Sequence, residues 1–190
     1  MKDVYPAMLY KRYIVVSLIS ALLLSTAIYA PSHAAEITTP NLEAVVRTFG
    51  FLETLRRDTA ISVGVVYAPK TAAARAQATE VAERFNAMPG PNNSVLRAMP
   101  VSADALGVTA DPIDVLYLMP GASGEADAII EAARRRHLVT ISNDPACLGQ
   151  KCCVLMVRTD RGVEIIMQTA LAEAVGAHFS TVFAMMVKRQ

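Results

Sequence analysis

The chain has no tryptophan, three histidines and only 6% aromatic residues. That leaves little material for a platform on which nucleic-acid bases stack, or for a histidine-rich metal centre. A surplus of one charge is missing as well: 18 Lys plus Arg stand against 17 Asp plus Glu, a formal net charge of +1, with no long basic or acidic run. Holding nucleic acid by bulk charge needs a positive surplus, so no nucleic-acid partner is expected. Neither the glycine spacing of a dinucleotide-binding fold nor that of a phosphate-binding P-loop occurs. Disorder is excluded by an abundance: 53% of the 190 residues are hydrophobic, enough over this length for one domain with a buried core.

What is present begins with an address. Lys2, Lys11 and Arg12 precede an apolar run from Tyr13 to Ala30, and Ser32-His33-Ala34 then puts small residues at the −3 and −1 positions of a signal-peptidase site. The expectation is cleavage after Ala34, giving a signal peptide over 1–34 and a single α/β domain over 35–190. The apolar run is 18 residues, near the lower limit for a membrane span, so an uncleaved N-terminal anchor is the competing reading. No cysteine lies near the site to accept a lipid and no twin arginine precedes the run, which makes ordinary export to the periplasm the expected route. Cys147, Cys152 and Cys153 would then meet an oxidising compartment.

Beyond that segment, helical and strand patterns alternate. Thr39-Pro40 opens a helix with Leu42, Val45, Val46, Phe49, Leu52 and Leu55 at helical spacing, expected to end near Arg57. Ile61 to Tyr67 is an apolar run rich in β-branched residues, the pattern of a strand covered on both faces. An Ala-rich helix over Thr71 to Met88, a turn at Pro89 to Asn93 and a weaker strand over Ser94 to Val101 follow. Ser102 to Leu106 suggests one helical turn, Ile113 to Met119 a second buried strand, Gly124 to Arg136 a helix and Leu138 to Ser142 a third strand. Cys152 to Arg158 and Val163 to Gln168 flank the turn residues Thr159 to Gly162 and predict a hairpin. A final helix is expected over Thr169 to Lys188, packing Leu171, Val175, Phe179, Val182, Phe183 and Met186 on one face and ending in Lys188-Arg189, which suits its dipole. The order predicts an α/β fold: a layered sandwich with a mostly parallel sheet, a C-terminal β-hairpin and a closing helix.

Ligands of open parallel sheets bind at the carboxyl ends of the strands. Three such ends are polar here: Ala68-Pro69-Lys70-Thr71, Pro120 to Gly124, and Ser142-Asn143-Asp144. Lys70, Thr71, Ser123, Gly124, Asn143 and Asp144 are the candidate ligand-binding residues. Ser123 and Gly124 would open a helix whose free N–H groups hold a carboxylate or phosphate, with Lys70 as counter-charge. The plainer reading makes Thr71 and Ser123 helix caps and leaves Lys70 solvated. Catalysis has less to work with: outside the address only His137 and His178 could serve as bases, and no spacing places either beside a nucleophile. Asp114 and Glu164 fall in strand regions and form no carboxylate pair, so neither an enzyme nor a cofactor is expected.

The cysteines admit a disulfide or a thiolate metal site, and the metal site lacks a fourth ligand and a CxxC pair. A disulfide is expected, with no metal. Neighbouring extended residues point to opposite faces, so Cys147 pairs with Cys152 or with Cys153, not readily with both. The ring is short, so it would hold the shape of the loop more than the whole fold, and would make that loop sensitive to redox state.

Ile113-Asp-Val-Leu-Tyr-Leu, Leu138-Val-Thr-Ile-Ser-Asn-Asp, and Ile165-Ile-Met-Gln leading into Ala172, Gly176, Ser180 and Met186 together resemble the YfiR/HmsC family of small exported proteins. The resemblance is best over Ile113 to Lys188 and weaker over Leu42 to Tyr67. Gln168 stands where that family has Asn, Cys152-Cys153 where it has Gly-Gly, and its Trp-Pro after the first helix is absent. The resemblance implies a periplasmic regulator that binds the periplasmic sensor domain of an inner-membrane diguanylate cyclase and represses it, restraining cyclic di-GMP and biofilm formation. It also implies an outer-membrane lipoprotein as a second partner, and a homodimer is compatible with it. The alternative expectation is a periplasmic small-ligand-binding protein resembling one lobe of a solute-binding protein.

Overall fold

The computed structural model describes residues 36–55 and 59–190. The expected signal peptide and its cleavage point lie outside the described residues. Among the described residues no helix is long and apolar enough to cross a membrane.

Helix α1 (Thr39–Phe49) starts where Thr38 accepts a hydrogen bond from the Asn41 N–H, with Pro40 in its first turn. It buries Leu42, Val45, Val46 and Phe49. It does not continue to Arg57. After Gly50 the chain turns away: the Ser180 N–H donates to the Phe51 carbonyl at 2.9 Å and the Glu53 N–H to the His178 carbonyl at 2.9 Å. These long-range bonds take backbone groups that further helical turns would use. Leu52 and Leu55 are buried all the same, from the turn and the short 3-10 stretch that follow.

Seven strands form one sheet: β1 (Ala60–Tyr67), β2 (Val95–Ser102), β3 (Val115–Leu118), β4 (Val139–Ser142), β5 (Leu155–Arg158), β6 (Glu164–Met167) and β7 (Lys188–Arg189). Their spatial order is β2-β1-β3-β4-β5-β6-β7. The pairs from β2 to β5 are all parallel, and β5 and β6 form the antiparallel hairpin. Arg97 and Pro100 are tolerated in β2 because it is an edge strand, where a missing N–H costs least.

Helices α2 (Ala72–Asn86), α3 (Ala126–Arg136), α4 (Pro145–Gly149), α5 (Thr169–Ala174) and α6 (Thr181–Met186) complete the layers. Alternation along the strands sorts the side chains. Val63, Val65, Val115, Tyr117, Leu155 and Val157 join a core with α1, α2, α5 and α6, while Val66, Leu116, Leu118 and Met156 join a second with Ile129 and Ala132 of α3. The described residues therefore form an α/β sandwich with a mostly parallel sheet, closed by the hairpin and the C-terminal helices.

Two further helical expectations need correction. The helix after β3 begins at Ala126 rather than Gly124. Gly121, at φ +85°, turns the chain first, and Ala122–Glu125 form a 3-10 turn in which Ser123 makes no capping bond. The final helix is two helices. At Gly176, φ +70°, the Ala177 N–H reaches the Ala172 carbonyl and the Gly176 N–H the Glu173 carbonyl, the Schellman pattern that ends a helix. Ser180 then caps α6 by accepting from the Phe183 N–H. Phe183 stacks between Phe51 and Phe179, with centroids 4.9 and 5.1 Å away. Lys188 and Arg189, read as the charged end of the helix, instead form β7, parallel to β6.

Candidate functional site

The sheet reverses its strand order between β1 and β3, and a crevice is expected over the carboxyl ends there. The chain itself crosses that position. Arg84 donates to the Ile37 carbonyl at 2.9 Å and to Thr39 Oγ1 at 3.2 Å, and Asn143 Nδ2 donates to the Glu36 carbonyl at 3.2 Å. A depression of about 350 Å³ remains, lined by Glu36, Ile37, Glu80, Arg84, Met119 and Pro120 among others.

The six candidate residues divide into two groups. Lys70 and Gly124 are neighbours: Lys70 Nζ lies 4.0 Å from Glu125 Oε1 and would sit 3.2 Å from a Cβ placed on Gly124. Ser123 and Gly124 line a shallow depression with Asp127 and Gln150. The other three act within the fold. Thr71 caps α2 by accepting from the Ala74 N–H. The Asp144 carboxylate accepts from the Ala146 N–H at 2.9 Å, capping α4, and from the Gly121 N–H at 3.1 Å, which ties the loop after β4 to the loop after β3. Asn143 is buried, and its Oδ1 lies 3.3 Å from the Tyr117 hydroxyl, which is also 3.3 Å from Asn41 Oδ1. Asn41 Nδ2 in turn donates to the Val157 carbonyl at 2.9 Å. Burial holds the Tyr117 phenol well above its ordinary range, the positive charge of Arg84 opposing, so the hydroxyl stays a neutral donor in this network. The buried Asn41–Tyr117–Asn143 chain was not legible in the sequence, because the three positions come from three separate elements.

The cysteines resolve as a Cys147–Cys152 disulfide with Cys153 free and buried. The bond closes the loop carrying Leu148, Gly149, Gln150 and Lys151. The Cys152 N–H donates to the Cys147 carbonyl at 2.9 Å, and Gln168 Nε2 donates to the Leu148 carbonyl at 2.6 Å, fixing the loop to the start of α5. Desolvation pushes the Cys153 thiol up to about 12, with the Asp144 carboxylate adding to the rise and a backbone hydrogen bond opposing it.

Several other titratable groups hold structure. Asp114 Oδ2 accepts from the Ser62 N–H at 2.7 Å at the start of β3. Glu164 bonds Lys188 across the β6–β7 pair, and Arg158 bonds Asp160. The Lys188 ammonium and the Arg158 guanidinium hold the Glu164 and Asp160 carboxyls, respectively, below their usual range. His137 ends α3 in a left-handed conformation, with Nδ1 3.2 Å from the Val175 carbonyl. Among the described residues no group of three His, Cys, Asp or Glu side chains is placed to hold a metal ion.

One surface went unread. Val182, Met185 and Met186 of α6 are 58%, 72% and 63% exposed, and Val163 on the hairpin turn is 61% exposed. Met186 and Val163 line the same depression, with Arg158, Arg161 and Lys188 around it. Single exposed apolar residues are ordinary, but three within one six-residue helix are not. Helical spacing alone places Val182 and Met186 on the buried face. The break at Gly176 and the cap at Ser180, both visible in the sequence, are what put α6 in its own orientation.

No family model matches the chain, and no curated protein matches it. Among solved structures it is similar to a conserved domain protein from Vibrio cholerae, at 14% identity and a TM-score of 0.55 over 78% of this chain. The chain spans 59% of that protein's length. What the two share is the fold.

Proposed function

We propose that this chain is an exported regulator that works by protein contact. It binds the periplasmic sensor domain of an inner-membrane diguanylate cyclase and holds the enzyme inactive, restraining cyclic di-GMP signalling and biofilm formation. The observation that carries the contact reading is the apolar surface of Val182, Met185 and Met186 on α6, beside Val163. Methionine suits such a surface, since its flexible thioether adapts to a partner. The kind of partner rests on the resemblance of Ile113 to Lys188 to the YfiR/HmsC pattern. The polar residues at the strand ends support contact over ligand chemistry, because Thr71, Asn143 and Asp144 are already engaged within the fold.

Repression requires the regulator to prefer the inactive receptor. A tenfold preference, about 1.4 kcal/mol, moves a receptor that is half active to about one tenth active. Titrating the purified chain into the isolated sensor domain tests the reading. Saturable binding is expected, weakened at least about tenfold by V182D combined with M185D, with the melting temperature of the variant unchanged. Failure of the unaltered chain to bind would overturn it.

A further inference from the structure

A cleft on the other side of the C-terminal region has the make-up of a small-molecule site. It has a volume of about 550 Å³, within the usual range for such sites, and is more enclosed and more apolar than the depression over Ser123–Gly124. Three elements build it, with Gln190 after β7 at its edge. α3 gives Ile130 and Arg134, the disulfide loop gives Leu148 and Lys151, and the start of α5 gives Leu171 with Gln168 behind it.

Its walls are held before any ligand arrives. The Cys147–Cys152 bond closes the loop, the Gln168 bond to the Leu148 carbonyl fixes that loop to α5, and Leu171 belongs to the main core. A site that needs no ordering on binding loses less affinity to entropy.

The side-chain charges among the lining residues are of one sign. Arg134 and Lys151 both line the cleft, and neither has an ion-pair partner among the described residues; Glu131, the nearest acid along α3, bonds Arg135 instead. Lys151 also holds a left-handed backbone conformation, φ +56°, at the end of α4, a place glycine fills at lower cost. Among the described residues no acidic side chain lines the cleft. Two unpaired cations above an apolar floor of Ile130, Leu148 and Leu171 suit a carboxylate attached to an apolar body.

We infer that the cleft between α3 and the disulfide-closed loop binds a small amphipathic carboxylate, its charge met by Arg134 and Lys151 and its apolar part lying on Ile130, Leu148 and Leu171. This site shares no residue with the α6 surface or with the six strand-end candidates, Gln150 alone bordering both it and the Ser123–Gly124 depression, and it does not depend on which protein the chain contacts.

Calorimetric titration of the oxidised chain with octanoate, acetate and 1-octanol tests this, backed by amide shifts in nuclear magnetic resonance spectra. Octanoate should bind and shift the amides of Ile130, Leu148, Lys151 and Leu171, acetate should not bind at the same concentrations, and octanol should bind more weakly than octanoate. R134Q combined with K151Q changes only exposed side chains; it should weaken octanoate about tenfold or more and leave octanol unchanged. No octanoate binding, binding that shifts amides elsewhere, or binding that the double variant does not weaken would overturn the inference. None of these outcomes bears on binding to the sensor domain, which is read separately.

Discussion

Cys153 shows how far a single residue's surroundings can set its chemistry. It adjoins Cys152 in sequence, yet one is bonded to Cys147 and the other lies in the second core as a small apolar side chain. Because burial raises its pKa to about 12, the folded state favours the neutral thiol. The sign follows: its contribution to stability is complete below the ordinary thiol value near 9 and is lost as pH rises from there toward 12. Iodoacetamide at pH 8 should leave the native oxidised chain unlabelled and add one equivalent after unfolding in urea. Labelling of the native chain as fast as of the unfolded one would contradict this burial. At this scale the sequence was partly legible. Thr71, a ligand-binding candidate whose plainer reading is a cap, does cap α2, and the need for one of two adjacent cysteines follows from alternation. The choice of Cys152 was not legible, since it depends on the turn that brings the Cys152 N–H onto the Cys147 carbonyl. Nor was the loss of Ser123 as a cap, which follows from a backbone reversal two residues earlier at Gly121.

Elements were legible where the periodicity was long and uninterrupted, as in β1, α2 and the hairpin. Hydrophobic spacing alone cannot detect a break that keeps the spacing. Leu171, Val175 and Phe183 are buried, in agreement with a single helix, although α5 and α6 are separate. Gly176 makes that separation possible, and a side chain there would have to adopt φ near +70°. We expect G176A to lower stability by about 1 to 2 kcal/mol in urea unfolding, the usual cost of a left-handed non-glycine residue. The space around the added methyl is open apart from His137 Nδ1 at 3.5 Å, so strain in the backbone rather than a clash sets the effect. An unchanged unfolding midpoint would mean that the segment between α5 and α6 relaxes freely. β7 escaped the reading because two charged residues carry no strand pattern; it exists because the Gln190 N–H and carbonyl bond the Met167 carbonyl and the Thr169 N–H.

For the whole molecule, alternating strands and helices sufficed to give the class of fold, the parallel sheet and its closing hairpin, because local pattern and tertiary packing agree along most of the chain. The exposed side of α6 was hidden from the sequence, since an apolar residue looks the same whether it faces a core or a partner. The proposed contact with the sensor domain is made by that side. Its most direct test is the cellular level of cyclic di-GMP in three otherwise identical strains, one with the chain deleted, one restored with it, and one restored with V182D combined with M185D. Deletion should raise the level, the unaltered chain should return it to the original, and the double variant should fail to do so despite equal abundance. An unchanged level on deletion, or full return with the double variant, would contradict it.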